Sequence, residues 1–218
     1  MQGLIRCALV AGLICACHSD DTATPDGPVG GDAGLTVRWA SRPTTWPADV
    51  GSTIIVERVR FALDSLRVIG DAGPGDLRTT KDAFELRWEE SRDPPEDIKF
   101  ESAPTGLYSQ IALQVDGNLI EDSYELEGTV VVNGSTEDFR IEDANPLAIN
   151  LSIDKSLSPG SRATIDIEID FAHILSAVDF SSLDTSDGKL QLDEGDADIV
   201  ELRKKLVESF KTPNITPH

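Results

Sequence analysis

A side-chain period of two recurs so often along this chain that it limits the fold before anything else is considered. In residues 107–115, Leu107, Ser109, Ile111, Leu113 and Val115 fall on one side, and Tyr108, Gln110, Ala112 and Gln114 on the other. That is the alternation of a strand with one buried face. Ala163, Ile165, Ile167, Ile169 and Phe171 alternate with Thr164, Asp166, Glu168 and Asp170 in the same way, and shorter runs occupy 35–40, 84–88, 124–132, 137–141 and 147–153. Within 52–69 the apolar phase slips from Val59, Phe61 and Leu63 to Leu66 and Val68, which predicts a bulge near Ser65. Asn133-Gly134 joins two of the runs, and this pair best supplies the two positive-φ positions of a type I′ hairpin. About eight such strands predict a mainly β fold, an antiparallel β-sandwich. Helical spacing is confined to the end: a short helix over 172–178, then Ile199, Leu202, Leu206 and Phe210 on one face of an amphipathic helix. Asp196 or Asp198 is placed to cap it, Lys211 suits its C-terminal end, and Pro213 stops it. The expected architecture is therefore a sandwich with short C-terminal helices.

The first part of the chain is different. Residues 7–16 are apolar over about ten positions, within the span of a signal h-region and well short of the roughly 20 a membrane helix needs. The run Leu13-Ile14-Cys15-Ala16-Cys17 closes it, and this stretch resembles the signal peptide and lipobox of a bacterial lipoprotein. The resemblance implies a signal peptide over 1–16, lipidation of Cys17, and membrane attachment through that lipid. It also implies a cell-envelope location. His18 rather than Asp after the anchor implies the outer membrane, on its periplasmic or surface face. After His18 and Ser19, residues 20–34 are acids, Pro, Gly, Thr and Ala with one valine, and 18–34 is too poor in apolar surface to offset ordering entropy. We read 17–34 as the lipidated terminus with a flexible acidic linker, and 35–212 as the sandwich domain with its C-terminal helical cap.

Charge and cysteine usage exclude several classes of function. All three cysteines lie within the first 17 residues, so the domain carries neither a disulfide framework nor a thiolate zinc site. The formal charge is −20, which repels nucleic acid and anionic lipid alike. Attachment then rests on Cys17. Of three histidines only His173 falls within the patterned domain, and no G-x-S-x-G, P-loop, H-E-x-x-H or strand-following G-x-G-x-x-G occurs. We expect a binding or structural module rather than an enzyme.

Two kinds of ligand have candidate residues. Asp184, Asp187, Asp193, Glu194 and Asp196 crowd one acidic loop, and hard cations such as Ca²⁺ need only clustered oxygens. Aligning Gly188 with the glycine of a calcium loop leaves Leu183 and Thr185 where carboxylates belong, so an EF-hand is excluded. For a glycan or protein partner the candidate is Trp46, an aromatic between Pro43 and Pro47 in a loop; Trp39 and Trp88 alternate on strands and read as packing residues. An exposed strand edge is another way to bind a partner.

Two further resemblances bear on this. Residues 103–113, Ala-Pro-Thr-Gly-Leu-Tyr-Ser-Gln-Ile-Ala-Leu, are similar to the P-x-G-x-Y strand entry of bacterial lipoproteins of unknown function with a transthyretin-like or immunoglobulin-like sandwich. Residues 165–175 resemble their late strand and short helix, and 56–68 is similar to copper-associated periplasmic lipoproteins that partner methanobactin. Those proteins bind copper through histidines and a modified tryptophan. With His173 alone, no such site maps onto this domain.

Overall fold

The computed structural model describes residues 33–71, 76–117 and 122–213. The expected signal peptide, Cys17 and the linker up to residue 32 lie outside the described residues. Among the described residues the elements run β1 (Gly34–Arg42), β2 (Ala48–Val50), β3 (Ile54–Gly70), β4 (Leu77–Glu89), β5 (Ile98–Phe100) and β6 (Gly106–Val115). They continue β7 (Tyr124–Val132), β8 (Ser135–Asp143), β9 (Leu147–Leu157), β10 (Arg162–Asp170), α1 (Phe171–Leu175), β11 (Asp184–Ser186), β12 (Lys189–Leu192), α2 (Ile199–Ser209) and β13 (Phe210–Lys211). No described helix is long and apolar enough to cross a membrane.

Two sheets pack together. The smaller runs β13-β10-β1-β5, and the larger runs β11-β12-β8-β7-β3-β6-β9, with β2 and β4 also paired to β3. The strand β3 is the spine. Along one edge it pairs with β2 at 54–56 and then with β4 at 58–69; along the other it pairs with β7 at 54–61 and then with β6 at 63–70. One strand thus collects four partners because it is longer than any of them. The expected bulge is present: the β3–β6 register shifts between Leu63 and Ser65, so Leu63 and Leu66 both reach the core while Asp64 is exposed.

A second bulge corrects the phase expected for β6. The registers with β3 and β9 both shift across Ser109, which turns Tyr108 inward to full burial and leaves Leu107 exposed. The Tyr108 hydroxyl donates to the Pro104 carbonyl, and the Arg78 guanidinium lies 5.2 Å from the ring centroid. The Asn133-Gly134 hairpin forms as expected, with φ of 51° and 85°. The sandwich is not purely antiparallel, however. The strands β1 and β10 pair in parallel over nine residues, and β12 joins β8 in parallel. Both joins link segments far apart in sequence, where no hairpin dictates direction.

Edge-to-face aromatic contacts tie the layers. Phe61 meets Trp88 and Phe210, and Trp88 meets Phe171. Helix α1 starts at Phe171, one position before the expected helix and shorter, with the Asp170 side chain accepting from the His173 N–H. Helix α2 begins at Ile199 with Asp198 in the cap position but making no side-chain cap bond, and Asp196 instead accepts from the Asp193 N–H. Lys211 lies in β13 and pairs with Asp170 at 3.7 Å.

What holds α2 is a buried carboxylate. Asp143, at the end of β8, accepts from Arg203 Nε at 2.7 Å and Nη2 at 2.8 Å, from the Tyr124 hydroxyl at 2.9 Å, and from Asn145 through its N–H and Nδ2. Burial by itself would raise the Asp143 pKa, but the bonds from Arg203, Asn145 and Tyr124 outweigh it and hold the carboxyl below its ordinary value. Burial, with the adjacent Asp143 charge, pushes the Tyr124 phenol well up. A depressed carboxyl pKa contributes stability that is present above the ordinary carboxylate range near pH 4 and is lost as pH falls through it; a raised phenol pKa contributes stability present below about pH 10 and lost above. Removing the guanidinium strands a buried charge, so Arg203→Ala should cost about 3 kcal/mol near neutral pH and flatten the acid limb of stability against pH. Tyr124→Phe should flatten the alkaline limb. Denaturant melts across pH check both, and an acid limb unchanged in Arg203→Ala contradicts the latch.

Candidate functional site

The edge of β4 turned away from β3 carries no other strand among the described residues. Here lies a cleft of about 620 Å³ between β4 and the chain that leads into β5. That volume falls within the roughly 300–1,000 Å³ of small-molecule and cofactor sites. Phe84, Glu85, Leu86 and Arg87 all line it. Consecutive strand residues point to opposite faces of a sheet, so four in a row border one space only if that space lies at the strand's edge. The opposite wall is 92–99, with Pro94-Pro95 at its middle and Ile98 and Lys99 of β5 at its end. The cleft therefore sits where the two sheets part, each contributing an edge strand.

Its charges are balanced in a chain that is strongly acidic. Lys81, Arg87, Arg92 and Lys99 face Glu85, Asp93, Glu96 and Asp97 around the rim. Some are already engaged: both Arg87 and Arg92 bond Glu89, at 3.0 Å each, and Asp97 lies 3.7 Å from Arg38. The side chains of Lys81, Lys99, Asp93 and Glu96 have no hydrogen bond or ion pair among the described residues. Phe84 forms the apolar floor, resting on Trp39 with ring centroids 5.9 Å apart. The Trp39 Nε1 behind it is buried with no acceptor among the described residues, a donor left unsatisfied at a cost.

Beside the cleft, the outer face of the large sheet is an ion-paired lattice. Arg58 bridges Glu125 and Glu127 at 3.2 and 2.7 Å, Arg140 bridges Glu125 and Glu142 at 3.2 and 2.8 Å, and Lys189 reaches Glu127 at 3.3 Å. Burial, reinforced by Asp122, Glu125 and Asp193, raises the Glu142 pKa against the pull of Arg140.

The residues singled out from sequence lie elsewhere. Trp46 is half-buried, its Nε1 donating to Ser41 at 3.0 Å and its ring set edge-on to Phe171 at 5.5 Å. Its aromatic face is thus partly committed to packing. Asp184 and Asp187 stand on the β11–β12 hairpin, whereas Asp193, Glu194 and Asp196 precede α2. Asp193 and Asp196 each accept backbone N–H bonds within that turn. Among the described residues no three His, Cys, Asp or Glu side chains are placed to hold a metal ion. His173 Nε2 lies 3.1 Å from Glu208, linking α1 to α2. Trp39 and Trp88 are buried, as expected of packing residues. The cleft residues are not among those the sequence analysis names; 91–97 is a loop with four charged residues and two prolines. The missing piece was that this loop covers an open edge.

No protein-family model matches this chain, and no curated protein matches it. Among solved structures it is distantly similar to MbnP from Methylosinus trichosporium, with a TM-score of 0.41 and 11% sequence identity over 72% of this chain and 82% of that one.

Because the five loop acids do not converge, about 1 mM Ca²⁺ should leave the melting temperature where a chelator leaves it. A rise with Ca²⁺ that Asp193→Asn abolishes would show that these acids gather on a metal.

Proposed function

We propose that this chain is a lipid-anchored protein of the bacterial envelope whose β-sandwich is a binding module, with the β4 cleft as its site. The anchor reading rests on the apolar 7–16 segment running into Cys17 and on the absence of any other cysteine from 18 to 218. The outer membrane is the proposed location, and relatives are sought among lipoproteins with a transthyretin-like or immunoglobulin-like sandwich. The binding reading is carried by one observation: a cleft of about 620 Å³ with an apolar floor and four side-chain charges of both signs left without partners among the described residues. Its lining includes no serine, threonine, cysteine, tyrosine or histidine, so it offers no hydroxyl or thiol nucleophile and no histidine base. Binding, not turnover, is the proposed role.

Anchoring is tested with the full chain in a diderm host. Cys17→Ala should move the protein from the membrane pellet to the soluble fraction and abolish incorporation of labelled fatty acid. Stable retention takes two or more acyl chains, and with −20 formal charge no electrostatic attraction to anionic lipid replaces them. A Cys17→Ala protein that stays in the membrane overturns the anchor.

A further inference from the structure

We infer that the cleft takes an extended peptide segment, which adds to the larger sheet as a strand alongside β4; this rests on the cleft being the module's binding site.

Three observations lead to a peptide. First, the residues bordering the cleft are consecutive along β4, so what they share toward it is the backbone edge. Every second residue of a strand with one paired neighbour directs its N–H and C=O outward. Such a row is matched by another extended backbone, not by an isolated small acid or a sugar ring. Second, β4 is the longest such edge. It runs for 13 residues, whereas β2, β5 and β11 have three each, and β9, the other long terminal strand, has β10, β13 and α2 packed against it. Third, the unengaged side chains carry both signs: Lys81 and Lys99 on one hand, Asp93 and Glu96 on the other. A polyanion would meet Asp93 and Glu96, and an uncharged glycan would bring none of the four an opposite charge. A peptide with acidic and basic residues answers both pairs.

The covering chain fits this role. Pro94 and Pro95 have no N–H, so those positions cannot complete the donor row facing β4, and 92–97 borders the edge without becoming its next strand. The cleft width is kept. Phe84 offers an apolar surface for side chains on the core-facing side of an added strand, while Glu85 and Arg87 meet those on the other.

The test uses the full lipidated chain in detergent micelles, panned against a displayed library of short random peptides, with a glycan array run in parallel. The expected peptides alternate apolar and charged residues, give cross-strand amide contacts to β4 residues 81–87 in NMR spectra, and bind about tenfold more weakly to Lys81→Glu/Lys99→Glu. Both lysines are exposed and unpaired among the described residues, and the melting temperature of the double variant reports that the fold is kept. Peptides that bind elsewhere, or none at all, overturn strand addition. A glycan that shifts the Phe84 and Trp39 resonances when no peptide does overturns the peptide and leaves the cleft a binding site. No shift at these residues from either probe overturns both readings.

Discussion

The structure depends on the hydrogen bonding of β3 along both edges for its whole length. Seventeen residues long, this strand holds β2 and β4 on one side and β7 and β6 on the other. No partner spans it alone, so the twist and register of the larger sheet are set by where β3 hands one neighbour on to the next. Those places are bulged. The shift between Val56 and Arg58 lies within the β7 pairing, and the shift between Leu63 and Ser65 falls where β6 takes over. A bulge bends a strand and increases its local twist. At Gly128, a Cβ would stand 2.0 Å from the Ile55 carbonyl oxygen. The glycine is what permits β7 to approach β3 so closely beside its bulge.

The open β4 edge is a consequence of that arrangement. Since β4 follows β3 through a short connection and spans most of its length, it lies outermost on that side, and the next stretch of chain crosses to the other layer as β5. Charge is distributed to match. On the outer face of the larger sheet, Arg58, Arg60, Arg87, Arg140 and Lys189 interleave with Glu85, Glu89, Glu125, Glu127 and Glu142. These five cations and five carboxylates cancel one another within a chain of −20. The excess acid sits in segments such as 179–198, which holds seven acidic residues and one lysine. The cleft borders these paired charges, away from the acidic segment 179–198.

The strands were legible in the sequence because a half-buried strand writes its period directly into the order of side chains. The phase slip at Leu63 and Leu66 and the Asn133-Gly134 turn are both local, and both were readable. The alternation alone puts Tyr108 on the wrong face because the bulge at Ser109 leaves no apolar mark; Leu107 and Tyr108 are both apolar enough to face inward. Strand neighbours were not legible. The parallel join of β1 to β10 links residues more than 120 positions apart, and nothing in either strand names the other. For the same reason the cleft was invisible. Phe84 and Arg87 belong to an ordinary alternating strand, and Pro94-Pro95 to an ordinary charged loop; only the pairing scheme shows that one borders the free edge of the other. The acidic loop and Trp46 drew attention by composition, and composition says nothing about convergence.

The account is tested most directly by native-state hydrogen exchange resolved to single amides along β3 and β4. With β3 paired on both edges, its amides away from the bulges should exchange only through global unfolding. Amides of β4 between Lys81 and Glu89 should split into two sets, alternate ones as slow as β3 and the others fast, because their N–H groups face the cleft. Uniform protection along β4 would mean that its edge is already paired, and uniformly fast exchange in β3 would mean that it is not the spine. Either result contradicts the account.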